Sequence, residues 1–162
     1  MKNDFSPKNP QSAPTVASTL DLSGSRILLV DDMAVNLKVL RETLESEGFR
    51  VQEFLRGLRF LKELPRQMPD LILLDLRMPS LSGEVILELL RELPLPAPLR
   101  ILLYSSVAAH ELAQMAERYQ TNGYVSKSTS ADDLLEAVRS VLAQAPTFFP
   151  VPPAPALAAK EA

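Results

Sequence analysis

Five short runs along the middle of the chain carry apolar residues, at 27–30, 51–54, 71–74, 101–104 and 124–126. As a set, these short apolar stretches bounded by polar residues predict strands buried on both faces of a parallel sheet. The segments between them follow a helical period. Leu37, Leu40 and Leu44 share one face, and Gly48 supplies a left-handed stop. A second helix is expected from near Gly57 and must end before Pro65. A third opens after Ser82, with Ile86, Leu89, Leu90 and Leu93 expected to face inward. The fourth covers about 108–120 and carries Leu112, Met115 and Tyr119. The last begins with Ser130 as N-cap and Asp133 three residues on, followed by Leu134, Val138, Val141 and Leu142. Five strands alternating with five helices predict an α/β fold: a doubly wound parallel sheet with helices on both faces.

The flanks differ from this pattern. Residues 1–24 are rich in Ser, Pro, Asn and Thr without apolar periodicity, so a flexible N-terminal arm is expected. Residues 145–162 read APTFFPVPPAPALAAKEA, a Pro/Ala-rich stretch expected to be a flexible, extended tail. Its Phe148 and Phe149 could dock on the domain or on a partner, but flexibility is the simpler reading. One domain is left, at 25–144. No apolar run approaches the roughly 20 residues that span a bilayer. The opening MKNDFSPKNP lacks the apolar stretch of a secretory signal, so no membrane insertion and a cytoplasmic location are expected. The absence of cysteine excludes a disulfide scaffold and thiolate metal sites. With a net charge of −3 and scattered basic residues, nothing suggests a nucleic-acid-binding surface.

Ligands of open parallel sheets bind outside the carboxyl ends of the strands. There the first strand delivers Asp31 and Asp32, the third Asp75, the fourth Ser105 and Ser106, and the fifth leads to Lys127. A single Asp after a strand is usually a helix cap. Three acids, a hydroxyl and a lysine at carboxyl ends are hard to explain by capping. Like charges about 4 Å apart repel by roughly 4 kcal/mol at an effective dielectric near 20, so the cluster needs cations. Hard carboxylate oxygens suit Mg²⁺ better than zinc, and Lys127 adds a fixed positive charge. A carboxylate can attack a phosphoryl group to give an acyl phosphate, and that transfer asks mainly for positioning and charge stabilisation. The product would carry about −1.5 to −2 charge in place of a carboxylate. Ser105 and Lys127 are the groups able to move toward it, and that movement would be a switch.

In these residues the chain resembles a response-regulator receiver domain of two-component signalling. The likeness covers about 25–144 and rests on RILLVDD at 26–32, PDLILLDLRMPSLSG at 69–83, ILLYSS at 101–106 and GYVSKS at 123–128. It implies a flavodoxin-like five-stranded sheet of order 2-1-3-4-5 with five helices. By the resemblance, Asp75 is the phosphoacceptor, while Asp31, Asp32, Asp75 and the backbone carbonyl of Arg77 hold Mg²⁺. Ser105 is then the switch hydroxyl, Lys127 the lysine that pairs with the phosphoryl group, and Tyr124 the aromatic that reports phosphorylation. Pro79 and Gly83 match the loop after the acceptor. The family lysine is usually followed by a cis-proline, whereas Ser128 follows here. Either the loop is trans and positions Lys127 differently, or it holds strain.

The expected function is therefore a stand-alone phosphorylation switch, not an enzyme in the usual sense. A sensor histidine kinase or histidine phosphotransfer protein would supply the phosphoryl group. Output would be protein contact through a face made by helix four, strand five and helix five, and the resemblance leaves room for a phosphorylation-linked homodimer. Two alternatives stand beside this reading. One is a receiver-like binding module that works without phosphorylation. The other is an aspartyl phosphatase of the haloacid dehalogenase type, whose D-x-D motif Asp31-Asp32-Met33 does not fit. Single His110, near a helix start, is read as an ordinary surface residue, and the Arg77 side chain as solvated.

Overall fold

The five apolar runs become a parallel sheet in the computed structural model, which describes residues 6–7 and 21–150. Its strands are β2 (Arg26–Val30), β3 (Arg50–Phe54), β4 (Leu71–Leu74), β5 (Ile101–Ser105) and β6 (Gly123–Ser126). Antiparallel to them runs β1 (Ser6–Pro7), and the order across the sheet is β1-β6-β5-β4-β2-β3. Counted over the parallel strands alone, this is 2-1-3-4-5, as the resemblance implied. Helices α1 (Ala34–Glu45), α2 (Gly57–Glu63), α3 (Gly83–Glu92), α4 (Ala109–Tyr119) and α5 (Ala131–Leu142) fill the connections. Pro65 converts the end of α2 into one 3₁₀ turn, Leu64–Arg66. Gly48 takes φ +87° just past α1, the left-handed stop expected from its position. Ser82 and Ser130 cap α3 and α5, accepting from the Val85 and Asp133 N–H groups.

Two apolar layers sandwich the sheet. On one face Leu37, Leu40 and Leu44 of α1 and Leu134, Val138 and Val141 of α5 cover Ile27, Leu29, Leu71, Leu73 and Leu102. On the other, α2, α3 and α4 cover Leu28, Val30, Ile72, Leu74, Ile101 and Leu103. Helix α3 keeps Ile86 and Leu90 buried and Leu93 packed on the core as expected, but Gly83 and Leu87 complete the buried face while Leu89 is exposed. The buried set keeps an i, i+3, i+4, i+7 spacing, and Leu89 lies outside that stripe. None of the described helices is long and apolar enough to cross a membrane.

The flanks depart from expectation at both ends. Within the expected arm, Ser6–Pro7 pairs with Gly123 and Tyr124, and Leu22 packs against the α1/α5 layer. The remaining arm residues, 1–5 and 8–20, lie outside the described part. The tail does not start at 145 either. Phe148 is 1% exposed and exchanges two backbone hydrogen bonds with Leu99, at 2.8 and 3.1 Å. The Arg91 guanidinium stacks 5.2 Å from its ring centroid. Asn122 Nδ2 donates to the Ala145 carbonyl at 3.0 Å, and Thr147 Oγ1 to the Gln120 carbonyl at 2.7 Å. Composition alone hid this strap, because one large aromatic side chain outweighs its Pro/Ala neighbours in the area it buries. Replacing Phe148 by Ala should cost about 3–5 kcal/mol of stability in urea unfolding. The same change at Phe149, 64% exposed, should stay within about 0.5 kcal/mol. Equal effects of the two would show that Phe148 is not docked in solution.

Candidate functional site

Strand register assembles the candidate site. Val30 pairs with Leu74, Leu74 with Leu103, and Tyr104 with Val125. One step beyond the first two pairs, Asp31, Asp75 and Tyr104 form a row on the same face as Leu29, Leu73 and Leu102. The ladder continues into that row: the Asp31 N–H donates to the Phe54 carbonyl at 3.2 Å and the Asp75 N–H to the Val30 carbonyl at 3.0 Å. Asp32 follows at the strand mouth, half-buried. One carboxylate oxygen from each of Asp31, Asp32 and Asp75 lies within 4.8 Å of the other two.

Lys127 closes the cluster. Its Nζ donates to Asp31 Oδ2 at 2.7 Å and to Asp75 Oδ2 at 3.0 Å, with 18% of the lysine side chain exposed and 3% of each acid. Its own N–H donates to the Ser105 carbonyl at 2.9 Å, tying the lysine backbone to β5. No cis peptide occurs among the described residues, so the bond to Ser128 is trans and the lysine still reaches both acids. Ser128 finds a partner of its own: its Oγ lies 2.8 Å from Ser126 Oγ, which also accepts from the Ser128 N–H at 3.3 Å.

Every oxygen of the two buried acids has a donor. Asp31 Oδ1 accepts from the Met33 N–H at 2.9 Å, and Asn36 Nδ2 adds a longer contact of 3.4 Å to Oδ2. Asp75 Oδ1 accepts from the Arg77 N–H at 3.0 Å. Burial nonetheless raises the Asp75 carboxyl above the ordinary range, against the lowering effect of the Arg77 N–H and of Lys127. Burial also works against the Lys127 ammonium, but bonding to Asp31 and Asp75 outweighs it, and the lysine is raised and charged. Tyr104 is raised by burial, opposed by Lys127, and stays a neutral phenol. Three carboxylates against one ammonium leave room for two positive charges, and the donors are all hard oxygens. The arrangement fits a divalent cation of the oxygen-seeking kind.

Ser105 and Tyr124 are placed differently. Ser105 is fully buried at the end of β5, where its Oγ accepts from the Val107 N–H at 3.4 Å. Tyr124 lies in register with Leu103, on the α2–α4 face of the sheet and away from the acid row, half-buried against the core. The Arg77 side chain is exposed and makes a loose contact with Glu111 at 3.8 Å, a pair worth little in solution. His110 is exposed at the start of α4. Two neighbours of the acids escaped the sequence reading. Asn36 is one, and Tyr104, whose ring centroid lies 5.8 Å from Lys127 Nζ, is the other. Tyr104 could have been found by parity, since its position before Ser105 puts it on the Asp75 side of the sheet.

Gly83 sets the loop after Asp75. A Cβ there would lie 2.4 Å from the Asp75 carbonyl oxygen and 2.7 Å from Leu76 Cα, so only glycine lets α3 start against this backbone.

Comparison with known proteins agrees with this geometry. The response regulator receiver domain family matches residues 27–139, more than half of the chain. The polar-differentiation response regulator DivK of Brucella anthropi is 30% identical over 122 residues, spanning 74% of this chain and 97% of the relative. Among solved structures, a CheY-like receiver domain protein from Methanospirillum hungatei superposes with a TM-score of 0.66 and 26% identity, covering 74% of this chain and 94% of the other. A response regulator structure from Chloroflexus aurantiacus shares the fold at a TM-score of 0.69 and 23% identity, covering 75% and 100%. The chain belongs to the response regulator receiver family. It is thus a two-component signalling domain rather than a conventional enzyme, and membership implies a histidine kinase as partner.

Two expectations follow from the site. Asp75 titrates above its unfolded value of about 3.9, so its neutral form favours folding. That contribution is present at acid pH and is lost as pH rises through the raised folded value. Asp75→Asn should therefore melt above the wild type at pH 7 without divalent ions, with the gap opening over that acid-to-neutral window. Saturating Mg²⁺ should narrow it, because an ion at 100 times its Kd adds about 2.7 kcal/mol to a protein that binds it. A variant that melts lower without metal would contradict the crowded-acid picture. Gly83→Ala should cost about 1–3 kcal/mol in urea unfolding through overpacking on Asp75 and Leu76; no loss would mean that the loop yields freely.

Proposed function

We propose that the protein is a phosphorylation switch that receives a phosphoryl group on Asp75. The observation that carries this reading is the Lys127 ammonium shared by Asp31 and Asp75, at 2.7 and 3.0 Å, inside an acidic pocket at the carboxyl ends of the strands. The donor is a phosphohistidine on a sensor kinase or on a histidine phosphotransfer protein. An Asp75 oxygen attacks phosphorus, the P–N bond breaks, and its electrons return to the leaving imidazole. The product is an acyl phosphate on Asp75. Mg²⁺, held by Asp31, Asp32, Asp75 and the Arg77 carbonyl, would neutralise charge on the transferring group.

The chain's own groups supply the rest. The Arg77 N–H on Asp75 Oδ1 holds the carboxylate plane, leaving Oδ2 on the Lys127 side. Lys127 then pairs with the new phosphoryl oxygens at a cost in Asp75 contacts that the added charge repays. Ser105 Oγ is held by a long bond of 3.4 Å from the Val107 N–H, which leaves its own proton free to donate to the phosphoryl group. A shift of Ser105 opens space on the α2–α4 side of the sheet, where Tyr124 can follow. The face of α4, β6 and α5 would carry the signal to a protein target, by a homodimer or by a different partner, in a cytoplasmic setting.

Intact-mass measurement after incubation with Mg²⁺ and acetyl phosphate, or with a phosphorylated kinase, tests the reading. One phosphoryl adduct on the wild type and none on Asp75→Asn is expected, with formation slowed on the order of 100-fold by Lys127→Met, the scale of losing one transition-state donor. An adduct that survives Asp75→Asn would refute it.

A further inference from the structure

Besides the two acids, Lys127 meets an aromatic ring. Tyr104 stands in the same row as Asp31 and Asp75, and the face of its ring meets Lys127 Nζ at 5.8 Å from the centroid. Both residues hang from one rung of the sheet, since the Lys127 N–H bonds to the carbonyl of Ser105, the residue after Tyr104. The ring is half-buried, so the contact is partly shielded from water.

Resting on the proposed acceptor role of Asp75, we infer that Tyr104 is a positioning residue for phosphoryl transfer. Its π face holds the Lys127 ammonium in place while the carboxylate oxygens change partners. In the resting site the ammonium meets Asp31 Oδ2, Asp75 Oδ2 and the ring. Forming the acyl phosphate removes the negative charge of the Asp75 carboxylate, and a divalent cation competes for the oxygens of both acids. The ring does neither. An aromatic face is a poor ligand for a hard cation and takes no part in the P–O bond, so it is the contact that persists through the reaction. Without it, a four-carbon stem with free rotation must be ordered by the incoming phosphoryl group itself.

A packing role alone would make different demands. Leu102 and Leu103 precede Tyr104 in β5 and serve the core as leucines. If position 104 only filled space, leucine would serve there too. If it holds a cation, the requirement is for π-electron density, and phenylalanine would serve while an electron-poor ring of the same shape would not.

The test compares the maximal rate of phosphorylation by acetyl phosphate at saturating Mg²⁺. The set is the wild type, Tyr104→Phe, Tyr104→Leu and a protein with 3,4,5-trifluorophenylalanine in place of Tyr104. The last keeps the ring and the fold but drains its face, so it stands even if Tyr104→Leu folds poorly. Tyr104→Phe should stay within about twofold of the wild type, and the other two should be slower on the order of tenfold. Mg²⁺ affinity of the fluorinated protein should be unchanged, and its melting temperature should fall only by the small amount that one weakened cation–π contact accounts for. In a Lys127→Met background the differences should vanish, because the ring acts through the ammonium. A fluorinated protein as fast as Tyr104→Phe, or a gap that persists without the lysine, would overturn the inference while leaving Asp75 as acceptor. A wild type that takes no phosphoryl group would remove both.

Discussion

The ammonium of Lys127 between the carboxylates of Asp31 and Asp75 is the contact on which the site rests. Two buried acids on adjacent strands would otherwise push against each other, and Asp32 adds a third charge at the mouth. The lysine satisfies one oxygen of each and keeps both oriented. It does not neutralise the pocket. Two negative charges are left over, and a divalent cation meets that deficit better than any side chain the cluster could add. Burial raises Asp75 despite two favourable donors, and the Asp31 charge adds to the effect. A site in this condition is sensitive to any new anion.

The scaffold holds this arrangement by spacing rather than by strength. Parallel register carries Asp31, Asp75 and Tyr104 onto one face, while the adjacent residues Val30, Leu74 and Leu103 enter the opposite layer. Gly83 lets α3 begin in contact with the carbonyl of the residue that bears the acid. At the far end of the sheet, Phe148 and its strap join the start of β5 to α3 and to the turn after α4. The elements that flank the site are thus anchored at the end away from the chemistry.

Much of this was legible in the letters, and for a common reason. Helix and strand positions followed the period of apolar residues, because burial of one face is the main force setting each element. The cluster of Asp31, Asp32, Asp75 and Lys127 could be named because strand ends in a parallel sheet converge. Where reading failed, a long-range contact decided. Leu89 carries the same apolar signal as Leu87, and only the direction of α3 against the sheet exposes one and buries the other. Phe148 sits in a Pro/Ala context that looks unfolded, and its burial depends on a site formed by Leu99 and Arg91, roughly 50 residues away along the chain. Ser128 raised a question that geometry answered: a trans bond and a hydroxyl pair suffice to bring the lysine in.

By itself the sequence determined which elements form, which residues stand at their carboxyl ends and which family the chain joins, since each of these depends on local pattern and order. Tertiary structure alone decided which oxygen of each acid meets the lysine, that Tyr104 faces the ammonium while Tyr124 lies across the sheet, and that Ser6–Pro7 and Phe148 return to the domain. Those outcomes depend on distances between strands that are remote in the chain, and a difference of one residue in register would reverse the face of every side chain involved.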